Sequence, residues 1–256
     1  MKPAVSVALA ALLASSAQGQ VLLFDDFEDG ADPAWGNEFG AWVVTAGEYE
    51  ASSPGNAPPT YTLLPYIVDD MDLVVDIRQL QDGGIWLHVD DTRQNGVLLV
   101  MGGSNHTYPG FYWHIVTGGS YSSQLGLSGT VVTLGGNHQL RVRVRGDTYQ
   151  VFVDGNPAAA STLATNLFPT GRVGLYDNTS GQLRFDNVLL TIPCGSDYND
   201  DAEVDILDFL DFIDDFSACE NLPAPCGNLG DPDLNADTTI DILDFLDFID
   251  AFGSGC

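Results

Sequence analysis

The chain has 256 residues, with 8 Lys and Arg against 36 Asp and Glu and a formal net charge of −28. That balance argues against nucleic acid and anionic lipid as partners, because both would be repelled. The single lysine is Lys2, so lysine-based covalent chemistry is excluded once the first residues are removed.

Met1-Lys2-Pro3, an apolar run from Ala4 to Leu13 and small residues ending at Gly19 follow the pattern of a secretory signal peptide over residues 1–19. The run is too short to span a bilayer, so no membrane insertion is expected. The mature chain is expected to be secreted, extracellular or attached to a cell surface, where disulfides persist.

Residues 21–192 suffice for one full-sized core. Short apolar alternations separated by Gly, Asn and Asp predict strands at Leu73–Ile77, Ile85–Val89, Val97–Val100, Phe111–Val116, Leu140–Arg145 and Tyr149–Val153. Arg145 meets the run Tyr149–Val153 across Gly146-Asp147, which reads as a tight hairpin. No stretch here has the length and period of a helix, so the expectation is a mainly β chain built as an antiparallel β-sandwich or jelly roll.

Asp25-Asp26-Phe27-Glu28, Gly40-Ala41-Trp42 with Gly47-Glu48-Tyr49, Val151 to Gly155, Gly171 to Tyr176 and Phe185 to Val188 together resemble the concanavalin-like, laminin-G-like sandwich family. That resemblance implies a lectin-like domain or a glycan hydrolase. Retaining glucanases of the family carry a Glu-x-Asp-x-(x)-Glu strand, since their catalytic carboxylates stand about 5 Å apart. The domain has only Glu28, Glu38, Glu48 and Glu50, and none fits.

If Ile85, Leu87 and Val89 face the core, alternation places Trp86, His88 and Asp90 on the opposite face, with Tyr112 and His114 opposite Phe111, Trp113 and Ile115. Aromatic plates beside polar groups suit a sugar ring, whose C–H face stacks while its hydroxyls bond. The reversed register would put Trp86 in the core. Arg141, Arg143 and Arg145 read as a solvated outer row that an acidic glycan would also suit. Asp26, Glu28 and Asp186 are a possible third, structural calcium site, as in some relatives of the sandwich family.

Residues 193–256 contain a repeat. Asp197-Tyr198-Asn199-Asp200-Asp201-Ala202-Glu203-Val204-Asp205 and its continuation recur 36 residues later from Asp233. Oxygen-bearing side chains at loop positions 1, 3, 5, 9 and 12 follow the EF-hand spacing that wraps carboxylates and a backbone carbonyl around a Ca2+ ion. The candidate ligands are Asp197, Asn199, Asp201, Glu203, Asp205 and Asp208, then Asp233, Asn235, Asp237, Thr239, Asp241 and Asp244. Ile206, Phe209, Leu210, Ile213 and Phe216, and their copies from Ile242 to Phe252, have helical spacing, so each unit reads as loop then helix. The alternative is an acidic, helix-capped repeat that holds no ion.

An Asp at position 12 and a helix only after each loop resemble the type I dockerin module. The resemblance implies two calcium sites and a cohesin-like or cell-surface protein as partner. The family's partner-reading positions fall on Ile206 with Leu207 and on Ile242 with Leu243, which on these helices are interface or core. Three cysteine pairings are possible for Cys194, Cys219, Cys226 and Cys256; Cys194 with Cys219 and Cys226 with Cys256 would staple each unit to itself. This framing resembles a dockerin variant frequent in secreted proteins of planctomycete-type bacteria.

The resulting expectation is a secreted, non-catalytic protein that binds polysaccharide or a surface and is tethered through a calcium-dependent dockerin-like module. A carbohydrate-active hydrolase on the same tether is the alternative, and a structural spacer in an extracellular assembly is the third.

Overall fold

The computed structural model describes residues 20–36, 38–55, 59–103, 107–178, 183–199, 204–220, 232–234 and 239–254, with backbone alone for 157–161 and 254. The chain divides into two compact units, one spanning Val21–Ile192 and the other containing Pro193–Cys256. Among the described residues no helix is long and apolar enough to cross a membrane.

The larger unit is built from strands β1 (Gln20–Asp25), β2 (Trp42–Thr45), β3 (Glu48–Ala51), β4 (Thr60–Leu63), β5 (Met71–Arg78), β6 (Gly83–Val89), β7 (Gly96–Met101), β8 (Phe111–Thr117), β9 (Ser120–Tyr121), β10 (His138–Arg145), β11 (Thr148–Val153), β12 (Asn156–Ala164), β13 (Arg172–Asp177) and β14 (Arg184–Ile192). One sheet has the order β12-β11-β10-β5-β14-β3-β2, with β1 also paired to β14; the other runs β4-β13-β6-β7-β8-β9. The neighbouring strands within these two orders pair antiparallel. The β10–β11 hairpin closes with Arg145 opposite Thr148, and Gly146 takes φ +50° at the turn.

Alternation sets the core. Leu73, Val75 and Ile77 of β5, Leu140, Val142 and Val144 of β10, and Val151 and Val153 of β11 point inward from one sheet. Ile85, Leu87, Val97, Leu99, Phe111 and Trp113 meet them from the other. Their partners in sequence, such as Arg141, Arg143 and Gln150, turn outward and stay half-buried.

In the smaller unit, α1 (Ile206–Cys219) and α2 (Ile242–Ser254) follow the two repeats. Asp205 caps α1, accepting from Leu207 N at 2.6 Å, while Asp208 Oδ2 accepts from Asp205 N at 2.8 Å to complete a capping box. The second repeat does the same through Asp241 and Asp244, at 2.8 Å for both bonds. Phe212 and Phe248 are fully buried, with Phe209, Phe216, Phe245 and Phe252 packed around them. The ring contacts come in matched pairs: Phe209 with Phe252 at 6.1 Å against Phe245 with Phe216 at 6.0 Å, and Phe212 with Phe216 at 5.6 Å against Phe248 with Phe252 at 5.7 Å. A local two-fold relation between the helices follows from those equalities. Leu210 and Leu246, read from the spacing as part of the apolar face, are exposed; the buried stripe of α1 is instead Asp208, Phe212, Asp215 and Cys219.

Candidate functional site

An antiparallel sheet with one wet face normally alternates apolar-in and polar-out. The six-stranded sheet does not. Its register lines up Tyr61, Tyr176, Gly84, Val100 and Tyr112 in one outward row and Leu63, Gly174, Trp86, Leu98 and His114 in the next. Leu63, Trp86, Leu98, Val100, Tyr112 and Tyr176 of these rows form, with Val89 and Val116, a second apolar cluster separate from the inter-sheet core, in which Trp86 is 6% exposed and Tyr61 and Tyr108 are partly covered.

The aromatic rings make an unbroken run across that face. Tyr61 lies 6.3 Å from Trp86, Trp86 6.3 Å from Tyr121, Tyr121 5.6 Å from His114, His114 5.3 Å from Tyr112, and Tyr112 6.1 Å from Tyr108. Both His114 contacts are edge-on, at 84° and 88°. Tyr121 is the open member, 44% exposed.

Local chemistry carries Tyr121 to this place. Thr117 pairs with Ser120 and Val116 with Tyr121 across Gly118 and Gly119, whose φ values of +56° and +74° need glycine in a two-residue hairpin turn. Gly118 N donates to Asn95 Oδ1 at 2.8 Å and Gly119 N to Gln94 O at 2.9 Å, so the β6–β7 turn holds the β8–β9 turn. Asp90 organises that turn, accepting from Thr92 Oγ1 at 2.9 Å, Gln94 N at 3.1 Å and Asn95 Nδ2 at 2.6 Å. Hydrogen bonds from these groups hold its carboxyl below the ordinary value although burial opposes them.

The polar groups are few. His114 Nδ1 sits 2.7 Å from Ser122 O, and because a carbonyl only accepts, Nδ1 carries the proton and Nε2 is the acceptor of the neutral ring. Burial pushes the His114 imidazole below its ordinary value, against the pull of the Ser122 and Ser123 carbonyls. Burial, then the neighbouring Tyr61, raises the Tyr121 phenol. Trp86 Nε1 is a buried donor without a hydrogen-bond partner, a state it shares with Trp42 in the inter-sheet core; such a group in a native fold asks for an explanation.

Of the residues the alternation grouped, the structure brings Trp86, Tyr112 and His114 to one outer face and leaves His88 off it. His88 is 1% exposed, takes φ +50°, and binds Tyr149 Oη and Phe168 O at 2.7 Å through Nδ1 and Asp69 O at 2.8 Å through Nε2. The cause is a bulge: Arg172 faces Val89 but Gly174 faces Trp86, so β6 holds one residue more than β13 between them. The extra residue turns His88 inward and moves Val89 from the expected core face to the outer cluster. Gly171 permits this, since a Cβ there would lie 2.3 Å from the His88 carbonyl carbon. Asp90 serves the turn rather than the ring row. The site residues the alternation missed are Tyr61, Tyr108, Tyr121 and Tyr176; for Tyr121 the Gly118-Gly119 pair was the available signal.

The proposed third calcium site is not formed. Asp186 Oδ2 is 2.9 Å from Arg78 Nη2, which supplies the positive charge there, and among the described residues no three acidic, His or Cys groups cluster as a metal site. The remaining glutamates of interest are similarly engaged: Glu38 with Arg172 at 2.7 Å, Glu48 with Arg184 at 2.5 Å, and Glu50 with Arg184 at 3.5 Å.

In the repeats, Asp201, Glu203, Asn235 and Asp237, together with Cys226 and Cys256, lie outside the described residues. Asp208 and Asp244 are fully buried, and Asp208 Oδ1 accepts from Asn199 N at 3.1 Å, which brings loop positions 3 and 12 together. From Cys194 onward the sequence has 17 acidic residues and no Lys or Arg. Capping accounts for one oxygen of each buried carboxylate, but burying the charge without a cation is costly, and an all-oxygen donor set fits Ca2+. Ile206 and Ile242 are each 61% exposed and Leu207 and Leu243 each 51%, so both pairs stand on the surface of their unit. Cys194 and Cys219 carry no free thiol.

No protein-family model matches the chain, and no curated protein matches it. Solved structures do. The carbohydrate-binding module CBM66 from Bacillus subtilis is similar at 18% identity and a TM-score of 0.53, over 62% of this chain and 95% of that one. A Bacillus subtilis protein of unknown function with a galectin-like fold is similar at 8% identity and a TM-score of 0.51, over 68% and 96%. The β-glucanase of Bacillus licheniformis gives 11% identity and 0.46, over 68% and 98%. The first two likenesses agree with the larger unit's two antiparallel sheets in showing a galectin- and concanavalin-like β-sandwich fold.

Proposed function

We propose that the sandwich binds polysaccharide on the outer face of its six-stranded sheet, without cleaving it. The observation that carries this is the ring run from Tyr61 through Trp86, Tyr121, His114 and Tyr112 to Tyr108, on a face that ordinary sheet patterning would make polar. Aromatic faces stack on the C–H face of a sugar, while His114 Nε2 and the tyrosine hydroxyls serve its hydroxyl groups. The run of rings, the absence of charge in the two outward rows, and a fold like that of a carbohydrate-binding module all support a neutral glycan. Those rows supply no carboxylate, whereas glycosidic cleavage calls for a pair.

The C-terminal repeats complete the reading as a dockerin-like tether in an exported protein, with residues 1–19 as its signal peptide. Asp197, Asn199, Asp205 and Asp208, with Asp233, Asp241 and Asp244 in the copy, would hold two Ca2+ ions together with the ligands outside the described residues. Bound calcium supplies the positive charge that this all-acidic unit lacks. The exposed Ile206–Leu207 and Ile242–Leu243 pairs would meet a cohesin-like or cell-surface partner, and Cys194–Cys219 and Cys226–Cys256 would staple the units.

The test is a panel of neutral polysaccharides scored with the full chain for retention and for new reducing ends. Retention without reducing ends is the expected result. Reducing ends would move the protein to the hydrolases, and neither outcome would leave a spacer.

A further inference from the structure

The opposite side of the sandwich, the outer face of the eight-stranded sheet, carries a second arrangement that the ring run does not use. Arg141, Arg143 and Arg145 of β10 converge on one carboxylate: Arg141 Nε is 2.6 Å from Asp72 Oδ1, Arg145 Nη2 2.7 Å from Oδ2, and Arg143 Nε 3.6 Å from Oδ1. Burial alone would raise the Asp72 carboxyl, but the Arg141 bond and the Arg145 charge outweigh it, so Asp72 stays ionised and fixes the arginines in place.

Arg141 differs from its neighbours. It engages Asp72 through Nε, its side chain is 43% exposed, and its terminal Nη groups have no hydrogen-bond or ion-pair partner among the described residues. The register sets Phe152 of β11 and Val74 of β5 directly beside it, both outward and half-buried. Gln150 faces outward two residues from Phe152 on β11, directly opposite Arg143. An anchored planar fork between an aromatic ring and a short apolar side chain matches a sugar that bears a carboxylate: two parallel N–H···O bonds take the carboxylate and the ring takes the C–H face.

We propose that Arg141, with Phe152 and Gln150, forms a second carbohydrate subsite, specific for a uronate residue and separate from the neutral-glycan face. The chain's charge of −28 repels a polyanion as a whole, so the subsite acts at ionic strength of about 0.1 M, where the Debye length falls to about 10 Å.

The test uses native gels of the full chain, cast with polygalacturonate or with its methyl ester, two polymers that differ in the carboxylate. Retardation is expected with polygalacturonate and not with the ester. Arg141→Gln should reduce it roughly tenfold, the loss of one charge-assisted contact, and Arg141→Lys, which keeps the charge without the fork, should fall between. Tyr121→Ala should leave it unchanged, so that failure of the neutral-glycan reading would not remove this one. Equal retardation by both polymers, or by wild type and Arg141→Gln with unchanged melting, would overturn the proposal. So would concentration-dependent self-association abolished by Arg141→Gln, which would make the arginine row a contact for the acidic repeats of a second copy.

Discussion

Phe212 and Phe248, 36 residues apart and equivalent in the two repeats, stack with ring centroids 4.0 Å apart and planes 1° from parallel. A residue that meets its own copy lies on the axis relating the copies, so the sequence duplication is also a two-fold relation in space. Tyr198 stands edge-on to both rings, at 5.4 and 6.2 Å, and its hydroxyl donates to Asp215 at 3.2 Å. Leu234 and Ala251 occupy the equivalent positions, so the pair breaks the symmetry on the buried side while the exposed Ile–Leu pairs keep it.

Because of that symmetry, charging one exposed pair, Ile206→Asp with Leu207→Asp, should leave partner binding largely intact, and charging Ile242 and Leu243 as well should abolish it. Helicity should be unchanged in all variants, since these side chains are already in water. Loss of helicity in a single-pair variant, seen by circular dichroism, would return the residues to the core.

Calcium should fold the C-terminal unit, with calorimetry of the full chain giving about two ions, because binding free energy becomes folding free energy where carboxylates repel without it. Asp208→Asn should remove one ion and Asp244→Asn the other. Equal helicity and stability in chelator would leave the capping boxes as the whole explanation of those aspartates.

Trp86→Ala should destabilise the sandwich by about 3–5 kcal/mol, since the ring is almost fully covered and its removal opens a cavity. Chemical denaturation of the full chain, following the sandwich transition, measures this. A negligible loss would mean that Trp86 is more accessible than its 6% exposure indicates.

The His114 imidazole is held below its ordinary value by burial. The folded chain therefore binds this proton less readily than the unfolded chain. Stability and glycan retention should be fully present above the ordinary imidazole value of about 6.5 and decline as pH falls below it toward the folded value. His114→Gln should flatten that part of the profile; an unchanged profile would assign the pH dependence elsewhere.

The strands β5, β10 and β11 were legible because one of their faces is buried and two-residue periodicity reports it, and β6 to β8, covered on both faces over most of their length, were legible as short runs whose successive residues still alternate sides. Trp86, Tyr112 and His114 were legible for the same reason. The His88 bulge was not, since an extra residue in one strand depends on the partner strand, and β13 lies 83 positions further along, with Gly171 as its steric requirement. Tyr61 and Tyr108 reach the ring run through pairings that no local pattern encodes. Phe212 was lost inside a helix apolar on most of its circumference, where spacing favoured Ile206 and Leu210, which proved exposed. The carboxylates at loop positions 9 and 12 cap the helices, which accounts for part of the pattern that spacing alone gave to metal.

Titration of the full chain with a soluble neutral polysaccharide, wild type against Tyr121→Ala, tests the central claim most directly. Tyr121 is exposed and stands on a glycine turn, so its removal should cost little stability. A stacking contact should be worth a roughly tenfold loss of affinity or more. An affinity unchanged by Tyr121→Ala in a protein that still binds the polysaccharide would contradict the assignment of binding to this face.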